Sequence, residues 1–200
     1  MRIIVVGIHT EVGKTVVSAI LAQAFNASYW KPVQCGLPAD RAWIQEITQK
    51  PCFPDGFTLK TPCSPHLAAK KESLLIRATD LIPPPCDGPL IIEGTGGIMA
   101  PLNEEETWFD AAIRWKATHW VLVHRHYLGS LNHFFLTTNF LLQQKVPLTG
   151  VVFNGDGDFE TEEMLLQKIK TRCLGRLKWP TELSQKNLQK LAHQWKPHLW

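Results

Sequence analysis

The residues with the clearest chemical capacity are those of Gly7-Ile8-His9-Thr10-Glu11-Val12-Gly13-Lys14-Thr15, a complete G-x-x-x-x-G-K-T phosphate loop. A phosphate chain carries several negative charges, so its site needs many donors at close range. Backbone amides next to Gly7 and Gly13 can approach without side-chain obstruction. Lys14 would place its ammonium on the β- and γ-phosphates, and the Thr15 hydroxyl would ligate the accompanying Mg²⁺. The flanks fit this reading. Ile3 to Val6 is a β-branched strand candidate, and Val16 to Phe25 carries apolar residues at helical spacing. The motif predicts a nucleoside triphosphate site.

The elements that must position such a loop recur along the chain. Apolar runs predict strands at Ile3 to Val6, Tyr29 to Val33, Pro89 to Ile92, Trp120 to Val123 and Leu148 to Phe153. Helical spacing predicts helices at Val16 to Phe25, Arg41 to Thr48, Glu72 to Thr79, Trp108 to Trp115, Leu131 to Gln144, Thr161 to Lys170 and Glu182 to Trp195. The proline-, glycine- and cysteine-rich stretch from Pro51 to Pro65 reads as a long loop, and Pro83-Pro84-Pro85 as a rigid connection. Alternating strands and helices imply an α/β fold of the P-loop NTPase type: a mostly parallel sheet covered by helices on both faces, ligands at the carboxyl ends of the strands. With 200 residues, 44% of them hydrophobic, and no linker-like stretch, one domain over residues 1–200 is expected.

Functional residues should therefore follow strands, and three strand ends are informative. After the second comes Lys31-Pro32-Val33-Gln34-Cys35-Gly36, with Asp40 close behind. A lysine emerging there could neutralise charge on a transferred phosphoryl group, or be an ordinary edge lysine. After the third comes Glu93-Gly94-Thr95-Gly96-Gly97, where Glu93 is a natural metal-side carboxylate, the alternative being a solvated turn acid. Leu128-Gly129-Ser130-Leu131-Asn132-His133 opens a helix whose free N–H groups could hold a carboxylate, or is a plain cap. Asn154 could read an adenine edge, or serve as a turn residue before Gly155.

Composition narrows the class. Twenty-one basic against eighteen acidic side chains give +3 with no basic block, so nucleic-acid binding has no electrostatic support. Cys35, Cys52, Cys63, Cys86 and Cys173 are scattered without C-x-x-C pairing, which argues against a disulfide framework or a zinc site and for reduced, cytoplasmic thiols. His124-Arg125-His126 lacks further ligands and reads as structural or surface-exposed. No apolar stretch reaches membrane-spanning length, and the eight tryptophans read first as packing.

Taken in order, the loop with Thr10-Glu11-Val12-Gly13-Lys14-Thr15, then Tyr29-Trp30-Lys31-Pro32-Val33-Gln34-Cys35-Gly36, Ser64-Pro65-His66, Glu93-Gly94-Thr95-Gly96-Gly97 with Pro101-Leu102, Leu128 to His133, and Gly150-Val151-Val152-Phe153-Asn154 resemble the dethiobiotin synthetase family. The resemblance implies a ligase that closes a cyclic urea on 7,8-diaminononanoate using CO₂ and ATP. A carbamate on one amine attacks the γ-phosphate to give a carbamic-phosphoric anhydride, and the second amine expels phosphate. Carried over residue by residue, Lys14, Lys31 and Thr10 act at the reacting end. Glu11, Val12, Gly13, Thr15, Val16, Gly94, Thr95 and Gly96 line the nucleotide, and Thr15, Asp40 and Glu93 hold Mg²⁺. Cys35 and Gly97 face the substrate. Leu128, Gly129, Ser130 and Asn132 receive the distal carboxylate across a homodimer interface. Asn154, with Lys178 and Trp179, surrounds the adenine.

Three positions leave the family's pattern. His9 stands where the family usually has aspartate: either the acid never touched the phosphates, or a neutral imidazole takes over its hydrogen bond. Cys35 replaces a hydroxyl and offers a weaker hydrogen bond. Lys178 replaces a proline in the base loop. Two other readings share the phosphate loop: an amidotransferase-type synthetase acting on cobyrinic acid, and a partition-type ATPase in which nucleotide switches dimerisation. The first needs a glutaminase domain for which there is no room. The second usually carries another lysine early in the loop, where this chain has Ile8 and His9.

Overall fold

Ile3, Ile4, Val5 and Val6 are all buried, and a strand buried on both faces needs partners on both edges. The computed structural model, which describes residues 1–178 and 183–196, gives it both. Strand β1 (Arg2–Gly7) lies between β5 (Leu90–Glu93) and β6 (His119–Arg125). Outward from these run β2 (Ser28–Trp30) beside β5, and β7 (Leu148–Asn154) and β8 (Cys173–Leu177) beyond β6. The order is β2-β5-β1-β6-β7-β8, and every pairing is parallel. Helices α1 (Lys14–Phe25), α2 (Asp40–Thr48), α3 (Pro65–Lys71), α4 (Trp108–Ala112), α5 (Ser130–Gln143), α6 (Phe159–Ile169) and α7 (Gln185–Trp195) flank the sheet. This is the expected α/β architecture with a parallel sheet. No helix among the described residues is long and apolar enough to cross a membrane.

The buried tryptophans pack as expected for core aromatics. Trp115 meets Trp30 and Trp108 edge-on at 5.5 and 5.6 Å between ring centres, and its indole N–H donates to the Leu81 carbonyl. The five cysteines stand free.

Several elements differ from the sequence reading, each for a local reason. The strand expected over Tyr29 to Val33 breaks at Pro32, which has no N–H to donate. Its second half becomes β3 (Val33–Cys35), which leaves the main sheet and pairs in parallel with β4 (Phe57–Leu59), a strand inside the stretch read as a loop. No helix covers Glu72 to Thr79. The helix of this region is α3, started by Pro65 at its first turn and ended before Ser73, whose φ of 54° is left-handed; only a short 3₁₀ turn follows at Ala78–Asp80. Strand β8 was not expected, because Gly175 and Arg176 break its apolar run.

Gly175 has a packing reason. A Cβ there would lie 2.2 Å from the indole of Trp195, so the last described helix rests its tryptophan face on a bare backbone. Gly175→Ala is therefore expected to destabilise the protein by about 1–3 kcal/mol, since a fused ring cannot yield as a flexible side chain does. Urea denaturation checks this.

Candidate active site

The phosphate loop runs from the end of β1 to the first turn of α1, and its shape requires its glycines. A Cβ on Gly7 would stand 2.5 Å from Val12 Cγ2 and 2.9 Å from the His9 carbonyl oxygen, while Gly13 adopts φ 98° just before the helix. Glu11 is also left-handed, at φ 55°. Inside this turn Lys14 is buried and donates from Nζ to the His9 carbonyl at 3.0 Å. Burial pulls its pKa down to about 8; the Glu93 carboxylate offsets part of that loss and Lys31 adds to it. The hydrogen-bond acceptor of this ammonium is a neutral carbonyl.

Parallel registry brings the second cluster to the same spot. Val5 pairs with Glu93 and Trp30 with Ile92, so the end of β5 sits at the root of the loop and Lys31 follows β2 directly beside it. Glu93, 1% exposed, is gripped by three donors: Thr15 Oγ1 at 2.9 Å, the Tyr29 hydroxyl at 2.9 Å and Lys31 Nζ at 3.2 Å. Lys31 also bonds Asp40 Oδ2, the oxygen that Thr15 Oγ1 approaches at 3.4 Å. Asp40 reaches this position as the first residue of α2, after the cis Leu37–Pro38 bond, and its N–H donates to Gln34 Oε1. Burial lowers the affinity of Lys31 for its proton, but the two carboxylates outweigh it and hold the ammonium well above the ordinary lysine value. Tyr29 is pushed up by burial and by Glu93, so it stays a phenol and a donor.

One cavity of about 990 Å³ joins these groups. Of the residues singled out from the sequence, it is lined by Thr10, Glu11, Gly13, Lys14, Thr15, Val16, Lys31, Cys35, Asp40, Glu93, Gly94, Thr95, Gly96 and Gly97. Burial, with Cys63 nearby, pushes the Cys35 thiol up to about 11, so it faces the cavity as a neutral S–H. The rest of the expected set lies elsewhere. Val12 is buried behind the loop, where its carbonyl accepts from the Asn154 amide at 2.9 Å; Asn154 is 1% exposed and its Oδ1 has no hydrogen-bond partner. Ser130 is buried beside His124, Leu128 is fully exposed, and Gly129 at φ 93° starts α5. With Asn132, these do not line the cavity. Lys178 is exposed after β8, and Trp179 lies outside the described residues. His126 is engaged with Glu162 at 3.0 Å, a structural role as read from the sequence.

Some residues of the site had no signal of their own. Tyr29, fully buried and bonded to Glu93 from outside the cavity lining, looked like an interior strand residue, and Gln34, which lines the cavity, stood only as part of the Lys31–Gly36 stretch. Pro62 and Cys63 belong to the stretch read as a loop and carried no signal, whereas the adjoining Ser64 and Pro65 stood in the Ser64-Pro65-His66 motif; the β3–β4 pairing brings this wall in.

Lys14 makes a proton-linked prediction. A bound polyphosphate favours the ammonium, so binding above pH 8 must take up a proton and affinity must fall as pH rises past 8. Calorimetric titration with a nonhydrolysable ATP analogue at pH 8.5, in buffers of different ionisation enthalpy, is expected to show uptake of roughly half a proton or more. Proton release would contradict it.

A protein-family model describing an AAA domain matches residues 1–187. The ATP-dependent dethiobiotin synthetase BioD of Chlamydia pneumoniae is 39% identical over 197 residues, 98% of this chain and 89% of that protein. The protein of the same name from Agrobacterium fabrum is 37% identical, covering 97% and 93%, and that of Afipia carboxidovorans 41%, covering 88% and 86%. Among solved structures, a ParA family ATPase from Chlorobium tepidum superposes with a TM-score of 0.58 at 12% identity, covering 100% and 99% of the two chains. The cell division ATPase MinD of Pyrococcus furiosus does so at 0.54 and 14%, covering 98% and 99%. The solved structures share the P-loop fold, and the sequence relatives share much more: this chain belongs to the ATP-dependent dethiobiotin synthetase family.

Proposed function

We propose that this chain carboxylates 7,8-diaminononanoate with CO₂ and closes the ring at the expense of ATP, giving dethiobiotin, ADP and phosphate. The observation that carries the reading is the single cavity in which the phosphate loop, Lys31 and Cys35 face one another. An amine and CO₂ form a carbamate with loss of a proton. The carbamate oxygen attacks the γ-phosphorus, ADP leaves, and the second amine attacks the carbamic-phosphoric anhydride and expels phosphate. No step needs a covalent bond to the protein; each needs positioning and charge neutralisation. Lys14 and Lys31 supply two cations, Thr10 lines the reacting end, and the Cys35 S–H donates weakly to the carbamate.

The donors at Thr15, Asp40 and Glu93 fit Mg²⁺. All are hard oxygens, and Asp40 Oδ2 and Glu93 Oε1 already share one cationic partner, the Lys31 ammonium. The ion would neutralise phosphate charge there. Glu11, Gly13, Val16 and the Gly94 to Gly97 turn line the remaining walls around ATP and diamine. Asn154 keeps a free acceptor, Oδ1, for the exocyclic amine of adenine, and the family resemblance assigns Lys178 and Trp179 to the base loop. Because Leu128 to Asn132 lie off the cavity and Leu128 is fully exposed, we assign them to a partner's cavity in a homodimer, where the start of α5 receives the distal carboxylate. The reading is of a cytoplasmic enzyme with small-molecule substrates and no nucleic-acid or membrane partner.

Purified protein given diaminononanoate, bicarbonate, Mg²⁺ and ATP is expected to form dethiobiotin and phosphate in equal amounts. Mass spectrometry of the product with a phosphate assay checks this, and ATP turnover without cyclic urea would contradict it.

A further inference from the structure

His9 is exposed, yet its ring is not idle. It stacks on His133 of α5 with 5.7 Å between ring centres and an interplanar angle of 16°. The His133 ring is itself fixed, because its Nδ1 lies 2.7 Å from the Tyr127 hydroxyl, and Tyr127 also meets His9 edge-on at 6.3 Å. The carbonyl of His9 is the acceptor for Lys14 Nζ. Two residues further along, the carbonyl of left-handed Glu11 accepts from Arg125 Nη1 at 3.1 Å. The outer side of the phosphate loop is thus tied to the first turn of α5 at His9 and to the end of β6 at Glu11.

The two ties act on different things. Arg125 fixes the residue whose backbone is least comfortable, since a left-handed conformation is unfavourable for a side chain such as glutamate. The ring stack fixes the orientation of the peptide that collects Lys14. His9 Nδ1 lies 3.2 Å from the Thr10 carbonyl oxygen, so the tautomer with its proton on Nδ1 donates there and the ring plane is set from its own side as well.

We propose that His9 is a positioning residue of the phosphate loop: by stacking on His133 it fixes the carbonyl that holds Lys14 ready, making the first turns of α5 part of the phosphate-binding machinery. The proposal rests on a nucleotide occupying the loop. It is independent of which second substrate reacts, so the two readings fail separately. It requires a ring at position 9, not an acid or a cation.

Affinity for an Mg²⁺-bound nonhydrolysable ATP analogue, measured by calorimetry on the full chain without diamine, tests it. His9→Ala and His133→Ala are each expected to weaken binding about three- to tenfold, the worth of one aromatic pair. The double variant should be no weaker than either single one, and His9→Phe should bind within about twofold of the wild type. If His133→Ala fails to fold, His133→Phe combined with His9→Ala completes the comparison, since it restores a ring on one side only and should remain as weak as His9→Ala alone. Additive losses, an unaffected His133 variant, or a His9→Phe variant as weak as His9→Ala would overturn the proposal.

Discussion

The interaction on which the site depends is the ammonium of Lys31 held between the carboxylates of Asp40 and Glu93. Glu93 is almost completely buried and Lys31 is 7% exposed, so neither charge is compensated mainly by water. Removing one partner from a buried ion pair costs about 3–5 kcal/mol, because the charge left behind has nowhere to go. Lys31 therefore fixes three elements at once: the end of β2 it follows, the end of β5 that carries Glu93, and the start of α2 that carries Asp40. Thr15 joins the phosphate loop to the same oxygens. One ammonium between two carboxylates leaves a single negative charge beside the phosphate loop, which the nearby Lys14 ammonium offsets.

This arrangement also explains why the two lysines differ. Lys31 has two anionic partners and keeps its proton firmly, whereas Lys14 faces a carbonyl and loses affinity for its proton by burial. On the proposed reading, the phosphate chain of ATP supplies the anionic partner of Lys14. One lysine then organises the site's own carboxylates, and the other answers the nucleotide. The outer brace from Arg125 and His133 keeps the responding lysine in place.

Much of this was legible in the sequence, for reasons that differ from residue to residue. Gly7, Gly13, Lys14 and Thr15 could be read because their spacing answers a demand of phosphate geometry. Lys31 and Glu93 could be read because parallel sheets present ligand-binding groups just beyond their strands. Residues brought in by tertiary pairing could not. Tyr29 bonds Glu93 from the neighbouring strand, and nothing in its local sequence distinguishes it from a core residue. The wall at Pro62 and Cys63 depends on β3 leaving the main sheet after Pro32, a break that apolar patterning over Tyr29 to Val33 conceals. His9 was visible as a departure from the family's pattern, but its partner lies on α5, more than a hundred residues away.

Phosphoryl transfer from ATP to a carbamate in this cavity moves one oxygen atom from carbon to phosphorus, and that atom can be followed. With ¹⁸O-labelled bicarbonate, in a run short compared with isotope exchange into water, the phosphate released with dethiobiotin should carry one labelled oxygen, because the carbamate oxygen that attacks phosphorus leaves with it. Unlabelled phosphate from labelled bicarbonate, or phosphate that takes its oxygen from labelled water, would rule out transfer to a carbamate.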